Sequence, residues 1–475
     1  MTITELCIEL RPNLCSGVAF LQFDQELNKT HVTRVVIRNH NVYICERDKR
    51  EQKYDTSSSD SDSADFEEML LISYDQFGMD IKGLGNFLIT CHNISFRFNY
   101  NQIDLDKIDA GAVEVPLAPI LLNFQENEAI SINCRNCRAE LVEAKSYRRL
   151  REFPSCVVDP SEFFCHNHGP AGTSAPISLV PAETDLFYGL NYVIINFNGE
   201  SAPFVHREDH VYCKRCMRFL GLTMFNGAAA RLWADAVRWL PSGAGVNYPK
   251  RHFFKSSTLS QLVKRLIHSL WPQPLPQLCL TTSRAVLVTS LPNRKKHYVF
   301  LHVVEPELRV LRRIHPDSDR LCCQRACKVY YDFFEGKPPL LEKWQAQQTL
   351  PQMDISPDMF QALVKRLHFN GLLIPHEWRF NSKEEKLELS YFFYENEEQP
   401  DGVDVKRGDD GDPYETDKGG LASDSDDLYS ETDTASEDTG IHWLGNRTLL
   451  KRCPTPPRSS VKMSTSSSSS SEEDK

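Results

Sequence analysis

The chain has 475 residues, 41% of them hydrophobic and 25% charged, fractions typical of globular proteins. That length exceeds one small cross-linked fold and suits two or three domains. No run of eighteen apolar residues occurs, and Glu5 and Glu9 stand where a secretory leader would carry cations. A chain of the cytoplasm, and also of the nucleus, with no membrane partner is expected.

The formal net charge is −11, and residues 401–440 account for all of it, with fourteen Asp or Glu against three Lys or Arg. The remainder is balanced, which removes a whole-surface electrostatic argument for direct nucleic-acid binding. Fifteen cysteines, an odd number, fit free or metal-bound thiols in a reducing compartment better than a bridged scaffold.

Residues 1–130 read as a β-rich domain. Ile94, Phe96, Phe98 and Tyr100 alternate as in a half-buried strand. Val35–Ile37 and Val42–Cys45 flank Asn39, His40 and Asn41, a spacing that predicts a hairpin. The acidic, serine-rich stretch 56–68 offers no apolar face and is expected to be a solvated loop.

Residues 131–225 are rich in Cys, His and Pro and show little periodicity except Tyr192–Phe197, which predicts irregular chain ordered by a metal. Residues 226–395 recover patterning and predict an α+β domain. Thr258 and Gln261 form a capping box ahead of a helical stripe of Leu259, Leu262, Val263, Leu266, Ile267 and Leu270. Strands are expected at Ala285–Leu291, Tyr298–Val304 and Leu308–Ile314, with turns between them. A second helix starts with Ser356 as N-cap and Pro357 at the first position, buries Phe360, Leu363, Val364 and Leu367, and stops at Gly371. Leu387, Leu389, Tyr391 and Phe393 alternate as a last strand. Residues 396–475 are acidic and serine-rich, too poor in apolar area to offset ordering, and are expected to be a disordered tail.

Two matching pairs dominate the chemistry: Cys134-Arg-Asn-Cys137 and Cys213-Lys-Arg-Cys216. Two residues between cysteines let a tight turn aim both thiolates at one ion, and two such turns complete a tetrahedron around structural Zn2+. Buried free thiols are the alternative, since the two pairs lie far apart in the chain. Cys165, His166 and His168, preceded by Phe163 and Phe164, form a second group of metal-ligating side chains. Three roles stand open: a second metal site with Cys156, insertion into another protein's metal centre, or ordinary polar residues. Cys323, Ala326, Cys327 and Tyr330 share helical spacing with Phe334, which predicts core-facing thiols on a helix. No phosphate-binding glycine loop, nucleophile elbow or HExxH helix occurs, so small-molecule catalysis is not indicated.

The ordered combination of the two CxxC pairs, the intervening Phe164-Cys165-His166 and an α+β C-terminal half resembles a known family. It is similar to the HECT-like ubiquitin-protein ligases that bind ubiquitin-conjugating enzymes, a family that includes a cyclin-B-binding ligase. The resemblance covers roughly residues 1–395. It implies a HECT-like C-terminal domain, acceptance of ubiquitin from a ubiquitin-conjugating enzyme, and transfer to substrates, a cyclin-B-like protein among them, for proteasomal degradation. Such transfer requires a thioester on a nucleophilic cysteine. The catalytic residue is unassigned: no position maps onto it by motif, and Cys279, Cys322 and Cys323 are candidates only. The family also resembles inhibitors or escorts of the zinc-dependent endonuclease subunit of the cleavage and polyadenylation specificity factor, which forms messenger-RNA 3′ ends. In that role the stretch from Leu150 to Thr173 would insert Cys165, with His166 beside it, into the partner's active site, where a thiolate suits zinc.

Overall fold

Ile94, Phe96, Phe98 and Tyr100 are all buried on a single strand, so the clearest alternation in the chain is a sheet core. The structure is a computed structural model. It describes residues 3–27, 31–38, 41–48, 67–73, 79–103, 116–153, 179–197, 203–243, 251–256, 258–270, 283–313, 321–347, 350–380 and 386–394. The expected tail, 396–475, lies outside the described residues, as does most of the acidic stretch 56–68; its last two residues, Glu67 and Glu68, begin a strand.

In chain order the first strands are β1 (Ile3–Arg11), β2 (Ser16–Phe23), β3 (His31–Arg38), β4 (Asn41–Asp48), β5 (Glu67–Ser73), β6 (Met79–Ile89) and β7 (Asn93–Ile103). Next come β8 (Ala129–Cys134), β9 (Glu140–Ser146), β10 (Arg149–Glu152), β11 (Asp185–Tyr188) and β12 (Tyr192–Asn196). They are followed by β13 (Phe204–Arg207), β14 (His210–Cys213), β15 (Phe219–Met224), β16 (Ala229–Trp233) and β17 (Val237–Pro241). The last part contains α1 (Leu259–Leu270), β18 (Arg284–Ser290), β19 (Lys296–Arg313), β20 (Leu321–Glu335) and α2 (Pro339–Gln347). β21 (Gln352–Asp354), α3 (Pro357–Gly371), α4 (His376–Arg379) and β22 (Glu388–Phe393) complete it. The class is α+β and strand-rich. Among the described residues no helix is long and apolar enough to cross a membrane.

β19 is the spine of a nine-stranded sheet. One edge pairs with β18 along its first half and with β1 along its second, while β20 runs along the other edge and pairs outward with β22. β2, β7 and β6 continue outward from β1. One sheet thus draws strands from both the first 130 residues and residues 226–395. The two strands expected at 298–304 and 308–314 are a single strand, because Pro306 sits in a register irregularity between Glu305 and Leu308 instead of making a turn. Proline lacks the ladder N–H and is accommodated at such bulges. The expected hairpin forms, with Arg38 of β3 opposite Asn41 of β4.

The helical spacing over 323–334 is overturned: those residues form β20. Positions four apart share a face in strand and helix alike, and Val329, Tyr330, Tyr331, Phe333 and Phe334 favour the pleated surface. Cys323 and Cys327 are nonetheless buried. The middle of the chain is likewise built of strands, not irregular chain. β10–β11–β12–β16–β15–β14–β13 form one sheet and β17–β8–β9 another. Strands of four to seven residues hold too few repeats for alternation to register in the sequence. Ile130, Ile132, Trp233, Trp239, Phe253 and Phe254 pack between them.

The two long predicted helices form. Thr258 Oγ1 accepts the Gln261 N–H at 3.2 Å, but the Gln261 side chain does not complete the capping box. It donates instead to the Pro116 carbonyl (2.7 Å) and accepts the Ala118 N–H (3.1 Å), tying α1 to the chain ahead of β8. Ser356 caps α3 through the Met359 N–H at 3.2 Å. Gly371 is the last residue of α3 and not a left-handed stop; a Cβ there would make ordinary van der Waals contact with the Leu389 carbonyl, 3.4 Å away.

Candidate metal centre

Each CxxC pair closes the hairpin that follows a strand, β8 in one case and β14 in the other. The two turns are built alike. The N–H of Cys134 donates to the Ala139 carbonyl, and that of Cys213 to the Arg218 carbonyl, both at 2.9 Å. The N–H of Arg138 returns to the Cys134 carbonyl at 3.0 Å, and that of Met217 to the Cys213 carbonyl at 2.8 Å. Inside each turn two amides point at the first sulfur: those of Asn136 and Cys137 at Cys134, and those of Arg215 and Cys216 at Cys213. Peptide N–H groups aimed at sulfur stabilise thiolate and orient it as a ligand.

The strands bring these turns together across the 75 residues between Cys137 and Cys213. Cys137 Sγ lies 3.5 Å from Cys213 Sγ, and Cys134 Sγ lies 3.7 Å from Cys216 Sγ. All four sulfurs fall within 4.8 Å of one another. A tetrahedron with Zn–S bonds of about 2.3 Å has edges of about 3.8 Å, so the spacing fits one zinc ion. The donor set fits as well, since four soft sulfurs select zinc over hard cations. Cys134 and Cys213 are buried, Cys137 and Cys216 half-buried.

Without metal the thiols differ. Burial pushes Cys134 up to about 12 and raises Cys213. Burial also opposes ionisation of Cys216, but the Arg218 amide and the Asn136 side chain outweigh it and bring that thiol down to about 7. Metal binding therefore displaces protons, chiefly from the buried sulfurs. A metal bound by all four thiolates would be left with no position for water or substrate.

The other candidate residues separate. Cys323 is buried and Cys322 half-buried in β20. Cys7 and Cys327 are fully buried, and desolvation lifts Cys7 to about 12 and raises Cys327 as well, which makes both inert. Cys165, His166 and Cys279 lie outside the described residues. The sequence reading missed Asp235 and Asp358, which take up the polar side chains radiating from the knuckles. Nothing in their spacing marks them, because the contacts arise only when distant strands pair.

Among the described residues, the strand-rich α+β fold brings four cysteines together where they could hold one metal ion. The family described as HECT-like ubiquitin-conjugating enzyme (E2)-binding matches residues 9–387, from within β1 to the residue before β22. The chain belongs to that family. It is similar to an E3 ubiquitin-protein ligase of Mus musculus, at 23% identity over 162 residues, 33% of this chain and 42% of the relative. The ligase of the same name from Rattus norvegicus is 24% identical over 153 residues, 31% of this chain and 40% of the relative. The alignments thus span about two-fifths of those relatives' length. No solved structure matches the chain.

Proposed function

We propose that the chain binds a ubiquitin-conjugating enzyme and promotes transfer of ubiquitin from it to substrate proteins, with proteasomal degradation as the consequence. The family match from residue 9 to residue 387 carries this reading, because it spans the nine-stranded sheet's spine and the four-cysteine centre together. Within the proposal the zinc centre is structural, and the ubiquitin carrier is none of Cys7, Cys323 and Cys327. Those thiols are buried, and a thioester needs an accessible thiolate. Half-buried Cys322 in β20, exposed Cys15 and Cys91, and Cys279 are positions that substitution must separate from a carrier-free mechanism.

The test is single-turnover discharge of a ubiquitin-charged conjugating enzyme. The expected result is faster discharge with the chain present, retained by Cys323→Ser and Cys327→Ser. A reducible ubiquitin adduct lost in Cys322→Ser, Cys15→Ser, Cys91→Ser or Cys279→Ser would assign the carrier. No acceleration with any of a panel of conjugating enzymes, and no binding to them, would refute the reading.

A further inference from the structure

Both knuckles connect to the N-terminus of α3, the second directly and the first through Asp235. In the first knuckle the Arg135 N–H donates to the Ala236 carbonyl at 3.0 Å, and its Nη1 donates to the Asp235 carbonyl, also at 3.0 Å. The Asp235 carboxylate in turn accepts a hydrogen bond from the hydroxyl of Ser356, the N-cap of α3. In the second knuckle the Arg218 carbonyl receives the Cys213 N–H, and the Arg218 amide points at Cys216 sulfur, so the turn around the metal fixes this residue's backbone. Its Nη2 then reaches Asp358 Oδ2, in the first turn of α3, at 2.6 Å. Arg231 of β16 adds a third tie, to Asp354 at 2.9 Å, just ahead of the cap.

From this convergence we infer that the four-cysteine centre and helix α3 are coupled: metal binding holds Arg218 against Asp358 of the first turn and Arg135 against Asp235, whose carboxylate accepts the Ser356 cap hydroxyl, and a formed helix start holds the two knuckles in register for the metal. The coupling rests on the chain's own contacts and stands whether or not the ubiquitin reading does. Each pair is modest alone, since Arg218 and Asp358 both face solvent in part. The arms gain from convergence. Opening either knuckle withdraws a guanidinium that positions either Asp235, the partner of the Ser356 cap, or Asp358, the carboxylate that the orphan N–H groups of this terminus favour. Arg135, Arg218, Asp235 and Asp358 act here as positioning residues. By thermodynamic linkage the effect is reciprocal, so loosening α3 must weaken metal binding by the factor by which metal orders α3.

The test uses the full, zinc-loaded chain and two readouts, zinc release to a chromophoric chelator and amide hydrogen exchange over Met359–Leu363. Arg218→Ala is expected to retain zinc at the start yet exchange faster at α3. Asp358→Asn and Ser356→Ala, whose side chains touch no cysteine, are expected to release zinc faster, on the order of fivefold for a coupling of about 1 kcal/mol. In the Arg218→Ala/Asp358→Asn double variant the two effects should be less than additive. Phe369→Ser, at the exposed far end of α3, should release zinc as the parent does. Unchanged zinc release in both Asp358→Asn and Ser356→Ala, or unchanged α3 exchange in Arg218→Ala and Arg135→Ala, would overturn the coupling. These variants decide the matter even where chelation unfolds the whole chain.

Discussion

Arg138 and Met217 occupy equivalent positions, the residue after the second cysteine of each knuckle, and both are left-handed, with φ of 61° and 54°. An L-residue with a Cβ carries a cost of about 1–2 kcal/mol there, which glycine avoids at the expense of its own entropy. Met217→Gly is therefore expected to be neutral or stabilising by up to about 1 kcal/mol in the zinc-loaded chain, and Met217→Val clearly destabilising. Thermal unfolding of the two variants at matched zinc content checks this. Equal losses in both would show that the Met217 side chain matters more than its backbone.

Beneath the nine-stranded sheet, Glu9 of β1 is fully buried with Lys328 of β20, and Tyr391 of β22 also donates to it. Arg11 reaches its second oxygen at 3.3 Å. Removing Lys328 leaves the buried Glu9 carboxylate with only Arg11 and the Tyr391 hydroxyl as partners, so Lys328→Met is expected to cost up to about 3 kcal/mol, less than a fully broken buried pair. Replacing both charges, as in Glu9→Leu/Lys328→Met, should recover much of that loss. Urea unfolding of the single and double variants measures the difference, and a double variant worse than the sum of the singles would contradict it.

Asp235 supplies a pH signature. Desolvation raises its carboxyl to about 6, against the partial relief given by the Ser356 hydroxyl. The folded state therefore binds this proton more tightly than the unfolded chain, whose carboxyl titrates near 3.8. Below about pH 4 the group is protonated in both states and has no effect. As pH rises from about 4 to about 6 it withdraws stability, on the order of 3 kcal/mol. Asp235→Asn should remove that slope, so the variant gains on the parent as pH rises through this window. Taking the difference between parent and variant separates the carboxylate from proton-driven loss of metal. A difference independent of pH would show that Asp235 is not the titrating group.

Legibility in the sequence followed the length of each pattern. β7, α1 and α3 were readable because four or more apolar positions repeat in phase and, for the two helices, a capping residue stands at the right offset. The knuckles were readable because CxxC is a local geometric requirement, independent of what lies between the pairs. Apart from β12, whose periodicity shows at Tyr192–Phe197, the strands of the middle sheets were not, being too short to repeat, and Cys323 to Phe334 satisfied two periods at once. Pro306 was misleading for a different reason: it breaks a ladder bond without ending the strand. The links from Arg135 and Arg218 to α3 were invisible, since their contacts join residues 100 to 140 positions apart through pairing that only the folded sheets create.

The central claim is that Cys134, Cys137, Cys213 and Cys216 together hold one zinc ion, and X-ray absorption at the zinc edge, with metal stoichiometry on the same sample, tests it most directly. The expected result is one zinc per chain in a shell of four sulfurs at about 2.3 Å, lost on Cys137→Ser or Cys216→Ser but not on Cys15→Ser. A shell containing nitrogen or oxygen, or a folded chain that takes up no zinc, would contradict it.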